Sequence, residues 1–559
     1  MRALPLAVSL TGLVLTAGCA DTGRAEMSDP PTAGVGGTPT TSPGFAKEGW
    51  FGSADGLHAR VEIKGVERQS ARVVLRYTVT SLDTTTKSVP FAIELLDPVA
   101  RKLYKPTGST SGAAFAPGAT REMAAEYPAL PRSAEKVTVL TPGTAGEFTG
   151  IPVTSGPATS TPPGGGSGPQ PGFSPPPGFS PPPGFSPPPG FSPPPGFSPP
   201  PGGFARATRG GPTWWYRLPE NAADPLTARA PSPLPSGRST GPRSSTGGTP
   251  PPVTGSGGVN LVDLYDITES ANQDVASSGS VVTAGLRADV LFDGASAKVS
   301  SRAKAVLDET AQQIKTKATG PVTLAGHTET KGDSAKNQKL SQQRADAVMK
   351  ELKTRLGNAF TYTARGKGGT EPVAREGGAG DARARARNHR VEITYQLKPS
   401  PAGDTGTTSA THGAAAFRPQ DGKTYASRSA RFGAAKRRMD VKPFYRDGAY
   451  IVAVFEIVNE GPGATPQDAS YAHPDYPGGV FTSFSVQVPG GKDVYRAVRV
   501  GPRTPSGPSA YVAPGRAVFR TAVNQPVRGF VYLPAPPGNV TSVTFDAGPF
   551  GKFDRVPVS

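Results

Sequence analysis

The stretch ADVLFDGASAKV, Ala288–Val299, and the residues that follow it to Leu397 hold the pattern on which the fold turns. Val290, Leu291 and Phe292 read as a short buried strand, closed by a turn at Asp293 to Ala295. From Ser296 to Ala318 the side chains Ala303, Val306, Leu307, Thr310, Ala311 and Ile314 recur at spacings of three and four, which is one side of an amphipathic helix. Val322 to Ala325 supplies a second strand. Ser334–Leu356 (SAKNQKLSQQRADAVMKELKTRL) supplies a second helix, with Leu340, Ala347, Val348, Leu352 and Leu356 on its core side. FTYTARG, Phe360–Gly366, and RVEITYQL, Arg390–Leu397, are two more strands. Two helices on a small mixed sheet make an α+β sandwich, and the ordered patterning around it runs over residues 259–400.

Five motifs stand in order in this segment: DVLFD (289–293), GHTE..G (326–332), N..LS..RA..V (337–348), G.G...P (366–372) and N.RVEI (388–393). Together they make the segment resemble the OmpA-like C-terminal domain, the peptidoglycan-binding module shared with peptidoglycan-associated lipoproteins. The resemblance implies a noncovalent grip on the diaminopimelate residue of the peptide stem, through an acid after GHT and an Arg in LS..RA. Glu329 and Arg344 hold those positions here. Diaminopimelate offers an ammonium and a carboxylate on one carbon, so such a site needs one anionic and one guanidinium contact on a rigid backbone. Arg344 can take the carboxylate bidentately, at about twice the strength of a neutral hydrogen bond. Asn337 lies two helical turns before Arg344 and projects from the same face. The helix opens near Asp333 or Ser334, where unpaired backbone N–H groups favour a carboxylate. With Arg390 of the last motif, Glu329, Asn337 and Arg344 complete the candidate binding set.

The segment departs from the family pattern twice. Glu329 replaces the usual Asp and is one methylene longer, and Asn388-His389-Arg390 replaces the commoner Asn-Arg-Arg. Either the pocket tolerates the longer acid or it suits a different stereoisomer of the diamino acid.

Outside this segment the chain is β-patterned or low in complexity. Residues 45–155 alternate apolar and polar positions in short runs such as ARVVLRYTVTS, and residues 415–559 do the same, as in YIVAVFEIVN and AVFRTAV. The two blocks share three features in the same order. ARVVLRYTVTS matches AYIVAVFEIVN, Phe115-Ala116-Pro117-Gly118 matches Val512-Ala513-Pro514-Gly515, and Phe148–Val153 matches Phe553–Val558. A pair of related all-β sandwiches is expected, resembling the immunoglobulin-like domains of bacterial extracytoplasmic lipoproteins. Residues 156–258 form a Pro/Gly-rich disordered linker with PPPGFS repeats, whose phenylalanines fall at Phe173, Phe179, Phe185, Phe191 and Phe197. Trp214, Trp215 and Tyr216 stand inside it with nothing local to bury them. A second linker covers 401–414.

Gly (70) and Pro (64) are about a quarter of the 559 residues, and hydrophobic residues only 35%, which excludes one large core and a polytopic membrane protein. The start, MRALPLAVSLTGLVLTAGC, has the three-part pattern of an export signal, and the only cysteine, Cys19, follows small residues as in a lipobox. Residues 1–18 are then a lipoprotein signal peptide, Cys19 the acylated N-terminus, and 19–44 a flexible tether. The protein is placed outside the cytoplasm, held in a cell membrane or outer membrane by lipid and associated with the wall.

Between Arg287 and Lys398 there are 21 Lys/Arg against 12 Asp/Glu, with Arg383, Arg385, Arg387 and Arg390 clustered. For an exported chain this suits anionic wall polymer or lipid rather than nucleic acid. The five histidines show no metal-ligand spacing, and no HExxH, GxSxG or P-loop is present, so no enzyme, metal or cofactor is expected. The expected function is a tether between membrane and peptidoglycan, with a further envelope protein as a possible partner of the sandwiches. The alternative is a receptor or secretion accessory, for which the central module is only a wall anchor.

Overall fold

The computed structural model describes residues 44–52, 56–108, 113–155, 260–378, 381–398, 412–466, 469–503, 507–514 and 522–559. The signal segment, Cys19, the tether before Gly44, the 156–258 linker with Trp214, Trp215 and Tyr216, residues 401–411 and most of AVFRTAV lie outside them.

In the central module, Ala318–His327 runs parallel to Tyr362–Gly366 and antiparallel to Arg390–Leu397. Arg390–Leu397 pairs in turn with Val281–Arg287, and that strand with Gln273–Ser277. Helices α1 (Ala288–Leu291), α2 (Ala303–Lys317), α3 (Ser334–Leu356) and α4 (Asp381–Asn388) complete it. Leu307, Ala311 and Ile314 of α2 and Val348 and Leu352 of α3 close over Val322, Leu324, Val391 and Ile393 of the sheet.

Three local expectations are corrected. Val290–Phe292 is no strand: Ala288–Leu291 makes one helical turn, with the Phe292 N–H donating to the Ala288 carbonyl at 2.9 Å. A helical turn buries Ala288, Leu291 and Phe292 together, at spacings of three and four, and leaves Asp289 exposed. Helix α2 starts at Ala303 rather than Ser296, because the residues before it are tied into a loop by Ser300, which donates to the Val290 carbonyl and accepts from the Ala303 N–H. The eight-residue α4 was not foreseen.

The two β blocks share one pairing scheme. In the first, Phe45–Phe51, Leu57–Gln69, Arg72–Ser81 and Thr120–Pro128 pair antiparallel in that order. Lys102–Tyr104, Glu94–Asp97, Lys136–Leu140 and Glu147–Ser155 do the same. In the last block the corresponding sets are Ala426–Phe432, Ala435–Val441, Tyr450–Gly461 and Pro526–Pro534, then Val494–Val500, Ser485–Gln487, Ser542–Asp546 and Lys552–Pro557. Two of the three matching runs fall on equivalent strands of this scheme, Arg72–Ser81 with Tyr450–Gly461 and Glu147–Ser155 with Lys552–Pro557, but Phe115 ends a short strand paired with Lys87–Val89 while Val512–Pro514 follow Ala510–Tyr511 outside any strand.

The sandwiches and the module do not hang as separate beads. The Leu261–Glu269 strand pairs with Gln273–Ser277 on its module side, while Leu261–Asp263 pairs with Lys102–Tyr104 and Leu264–Glu269 with Val494–Val500. Those two partners are the equivalent edge strands of the two blocks. A shared core of Leu96, Leu103, Leu140, Leu264, Val452, Val498, Phe530 and Tyr532 fills the junction. Nor does the stretch after residue 412 belong to the last block alone: Phe417 packs on Phe45 and Phe148, with ring centroids 5.2 and 5.9 Å away.

Buried charges sit in this junction. Glu147 of the first block accepts from Arg528 Nη2 at 2.6 Å and from Tyr445 Oη at 2.7 Å in the last. Asp447 accepts from Thr138 at 2.7 Å and from Tyr532 at 2.9 Å. Glu269 accepts from Arg496 Nη2 at 2.8 Å and lies 3.2 Å from Arg387 Nη2 of α4. Burial pushes the Glu147 carboxyl up, but Arg528 and Lys47 outweigh it and bring it down to about 2; Arg496 and Arg387 do the same for Glu269. Burial raises Asp447 and Asp266 to about 6.

The lowered pair stabilises fully above the unfolded value of 4.5 and loses this as pH falls toward about 2. Asp447 and Asp266 act oppositely, costing stability above about 6 and relieving that cost below it. Thermal unfolding followed from neutral pH downward is therefore expected to show a loss that begins only below about pH 4. Glu147→Gln leaves Arg528 underpaired and is expected to cost roughly 3 kcal/mol at neutral pH, with a shallower acid dependence.

Candidate functional site

Close backbone approach builds the site floor. A Cβ on Gly326 would stand 2.0 Å from the Ser341 carbonyl oxygen, and one on Gly369 2.3 Å from the Glu329 carbonyl oxygen. Only glycine lets α3 lie directly on the Ala318–His327 strand, and only glycine lets the 366–370 loop lie against the loop bearing Glu329. Ser341 then accepts from the Gly368 N–H at 2.9 Å.

Helix α3 begins with Asp333, whose carboxylate accepts from the Lys336 N–H at 3.0 Å as an N-cap. Asn337, one turn in, donates from Nδ2 to the Lys331 carbonyl at 2.8 Å and to that of Glu329 at 3.4 Å. Its amide nitrogen is thus spent on shaping the Glu329 loop.

Arg344 is buried, 2% exposed, and bridges α3 to the turn after Phe292. Its Nε donates to the Ser296 carbonyl and its Nη2 to that of Gly294, each at 3.1 Å, with the guanidinium carbon 5.0 Å from the centre of the Phe292 ring. Its Nη1 is buried and has no hydrogen-bond partner. Burial lowers its pKa, yet a guanidinium keeps its charge.

The Glu329 side chain is 34% exposed, with Oε2 3.7 Å from Arg385 Nε and Oε1 3.7 Å from His389 Nε2. Arg385 also holds Asp381, four residues earlier on α4. The structure therefore gathers Glu329 and Arg344 with Arg385 and His389; His389 feels the charges of all three and of Glu376.

Arg390 sits apart from this group. It is 3% exposed and spends its donors on Glu392 at 2.6 Å, the Asn388 carbonyl at 3.2 Å and the Glu371 carbonyl at 3.1 Å. His327 does not hydrogen-bond the loop as a turn residue would: it is buried, its Nε2 stands 3.6 Å from Glu392, and neither ring nitrogen has a hydrogen-bond partner. The four clustered arginines do not form one basic surface. Arg387 is buried in the junction between Asp274, Glu269 and Asp475, Arg390 is buried against Glu392, and Arg383 and Arg385 stay more open.

Sequence reasoning missed Asn388, although its motif was in view. It is fully buried; Oδ1 accepts from the Val373 and Ala374 N–H groups at 2.8 and 2.9 Å, and Nδ2 donates to the Ala374 carbonyl at 2.9 Å and to Glu376 at 2.6 Å. Glu376 in turn accepts from Thr330 at 2.7 Å, beside Glu329. The Asn that opens the N.RVEI motif, just before a strand, was the available signal.

Residues 291–387 match the OmpA family model, so the centre of the chain is an OmpA-like domain. The chain is 31% identical over 136 residues to the probable lipoprotein YiaD of Escherichia coli, covering 24% of this chain and 61% of that one. It is 34% identical over 116 residues to the photosystem I P700 chlorophyll a apoprotein A2 of Gloeobacter violaceus, covering 20% and 13% respectively. It thus spans less than two thirds of each of these curated relatives. The structure of the cell wall anchor of the T6SS from Pseudomonas aeruginosa is 34% identical, covering 23% of this chain and 89% of that one; its TM-score is 0.21, too low to bear on function. Among the described residues no helix is long and apolar enough to cross a membrane, and no group of three or more His, Cys, Asp or Glu could hold a metal ion.

Asn388→Ala removes four hydrogen bonds and leaves two buried N–H groups unpaired. It is expected to destabilise the module by roughly 2–3 kcal/mol and to speed amide hydrogen exchange at Val373 and Ala374.

Proposed function

We propose that this protein grips the diaminopimelate residue of peptidoglycan stem peptides noncovalently and ties a membrane to the wall. The observation that carries this reading is the unfinished hydrogen-bond set of Arg344. Two of its nitrogens fix the turn over Gly294 and Ser296, while a buried, charged Nη1 is left without a partner. A buried donor in that state costs free energy unless a ligand completes it, and a carboxylate is the strongest acceptor for it. Glu329, partly exposed, takes the ammonium group on the same carbon.

Asn337 and Arg390 serve by position, the first holding the Glu329 loop and the second fixing Glu392 and the 371 carbonyl beneath it. Cys19 carries the lipid and residues 19–44 supply the reach to the wall, whereas residues 156–258 leave from Ser155 and return at Leu261 on one packed body and so add nothing to that reach, contrary to the spacer expected of them; the flanking blocks are immunoglobulin-like modules. The protein needs no cofactor and is not an enzyme. Among the described residues, the exposed large hydrophobics are the single side chains Leu82, Tyr425 and Val523, which offers the receptor reading little apolar surface.

The test is co-sedimentation of the full chain with purified diaminopimelate-type peptidoglycan. The parent is expected to pellet, and Glu329→Ala and Arg344→Ala to weaken binding by about tenfold or more each; a parent that stays in the supernatant overturns the reading. Cys19→Ser is expected to abolish incorporation of labelled palmitate and to release the protein from the membrane fraction.

A further inference from the structure

The two departures from the family pattern meet at one contact. Glu329, longer than the usual Asp, and His389, in place of the usual Arg, approach each other at 3.7 Å between Oε1 and Nε2. We propose that His389 gates the Glu329 carboxylate, leaving it open to a ligand ammonium group while the imidazole is neutral and closing it when the imidazole is charged. This rests on the peptidoglycan-binding reading above and names the residue that sets when the site is open.

The geometry supports a gate rather than a fixed bond. At 3.7 Å the pair is beyond hydrogen-bond distance, so the attraction between them depends on charge. The other cation at Glu329 is Arg385, also 3.7 Å away, and Arg385 is already engaged with Asp381 on its own helix. With a neutral imidazole, Glu329 keeps charge to offer an ammonium. With an imidazolium, the carboxylate is enclosed by two cations, and a third must displace one of them.

His389 is 30% exposed at its side chain, within reach of protons. The charged groups that face it are Glu329 from the loop after Ala318–His327, Arg344 from α3, Glu376 from the loop before α4 and Arg385 from α4. Two carboxylates and two guanidiniums nearly balance, and burial, the largest influence, lowers the imidazole's pKa from 6.5. The gate therefore stands open at neutral pH and closes on acidification.

The same logic explains why both substitutions occur together. An Arg at position 389 would carry a permanent charge, and the long arm of Glu329 would reach it. An Asp would stand back from that Arg by one methylene and stay available. The Glu–His and Asp–Arg combinations are thus two solutions to one problem, and the mixed combinations are not.

The experiment is binding of the full chain to purified diaminopimelate-type peptidoglycan at about pH 5 and about pH 7.5. The parent is compared with H389Q, H389R and E329D/H389R, with the melting temperature of each variant as a check on folding. The parent is expected to bind about tenfold more weakly at the lower pH. H389Q should show equal affinity at both, H389R weak binding at both, and E329D/H389R recovery over H389R at both. A parent that binds with no pH dependence, or an H389Q that keeps it, overturns the gate while leaving the wall-binding reading in place. Failure of H389R to weaken binding, or of the double variant to recover it, also overturns the gate. A parent that does not bind at either pH removes both.

Discussion

A β-strand has two edges of backbone donors and acceptors, and both must be satisfied when it is buried. Leu261–Glu269 meets this demand by drawing on three parts of the chain. One edge is divided between Lys102–Tyr104, along Leu261–Asp263, and Gln273–Ser277 of the central module, along Asp266–Glu269, and the other goes to Val494–Val500. Because Lys102–Tyr104 and Val494–Val500 are equivalent in the two sandwiches, the Leu261–Glu269 strand is held between matching edges. The rest follows from that seating. Leu264 enters a core contributed by both blocks, and Glu269 can pair with Arg496 from one side and Arg387 from the other. Charges this deep are tolerable only with such partners, since an unpaired buried ion costs several kcal/mol.

The candidate site uses the opposite principle. Around it, nearly every polar group is spent internally: Asn337 on the loop carbonyls, Asn388 on the 373–376 loop, Arg390 on Glu392 and two carbonyls. Against that background, an unpaired Nη1 on Arg344 and a half-open Glu329 are left over, beside the buried ring nitrogens of His327. One positive and one negative group are left unfinished on a floor where glycine permits backbone contact.

Much of this was legible in the sequence, and the reasons for success and failure are physical. Helix α3 and the Arg390–Leu397 strand are read to the residue, because Asp333 caps one and alternating burial marks the other. The turn at Ala288–Leu291 was misread because three consecutive apolar residues look alike in a strand and in a buried helical turn. Arg387 reads as part of a basic surface for wall polymer or lipid, since its partners Glu269 and Asp475 come from segments far away in the chain. Motif spacing names Glu329 and Arg344 as candidates, but it could not show that Glu329 and His389 approach to 3.7 Å, nor that Arg390 spends its donors on Glu392 and two carbonyls.

The seating of Leu261–Glu269 also has a consequence in time. A chain made from its N-terminus presents the first sandwich and the central module long before Val494–Val500 exists to pair with Leu264–Glu269. Over that interval most of one edge of the module is an open template of unpaired N–H and C=O groups, the kind that invites pairing with another chain. Completion of the molecule thus waits for its last block. The last block is what finally closes the edge opposite the one on which the first block pairs with Leu261 to Asp263.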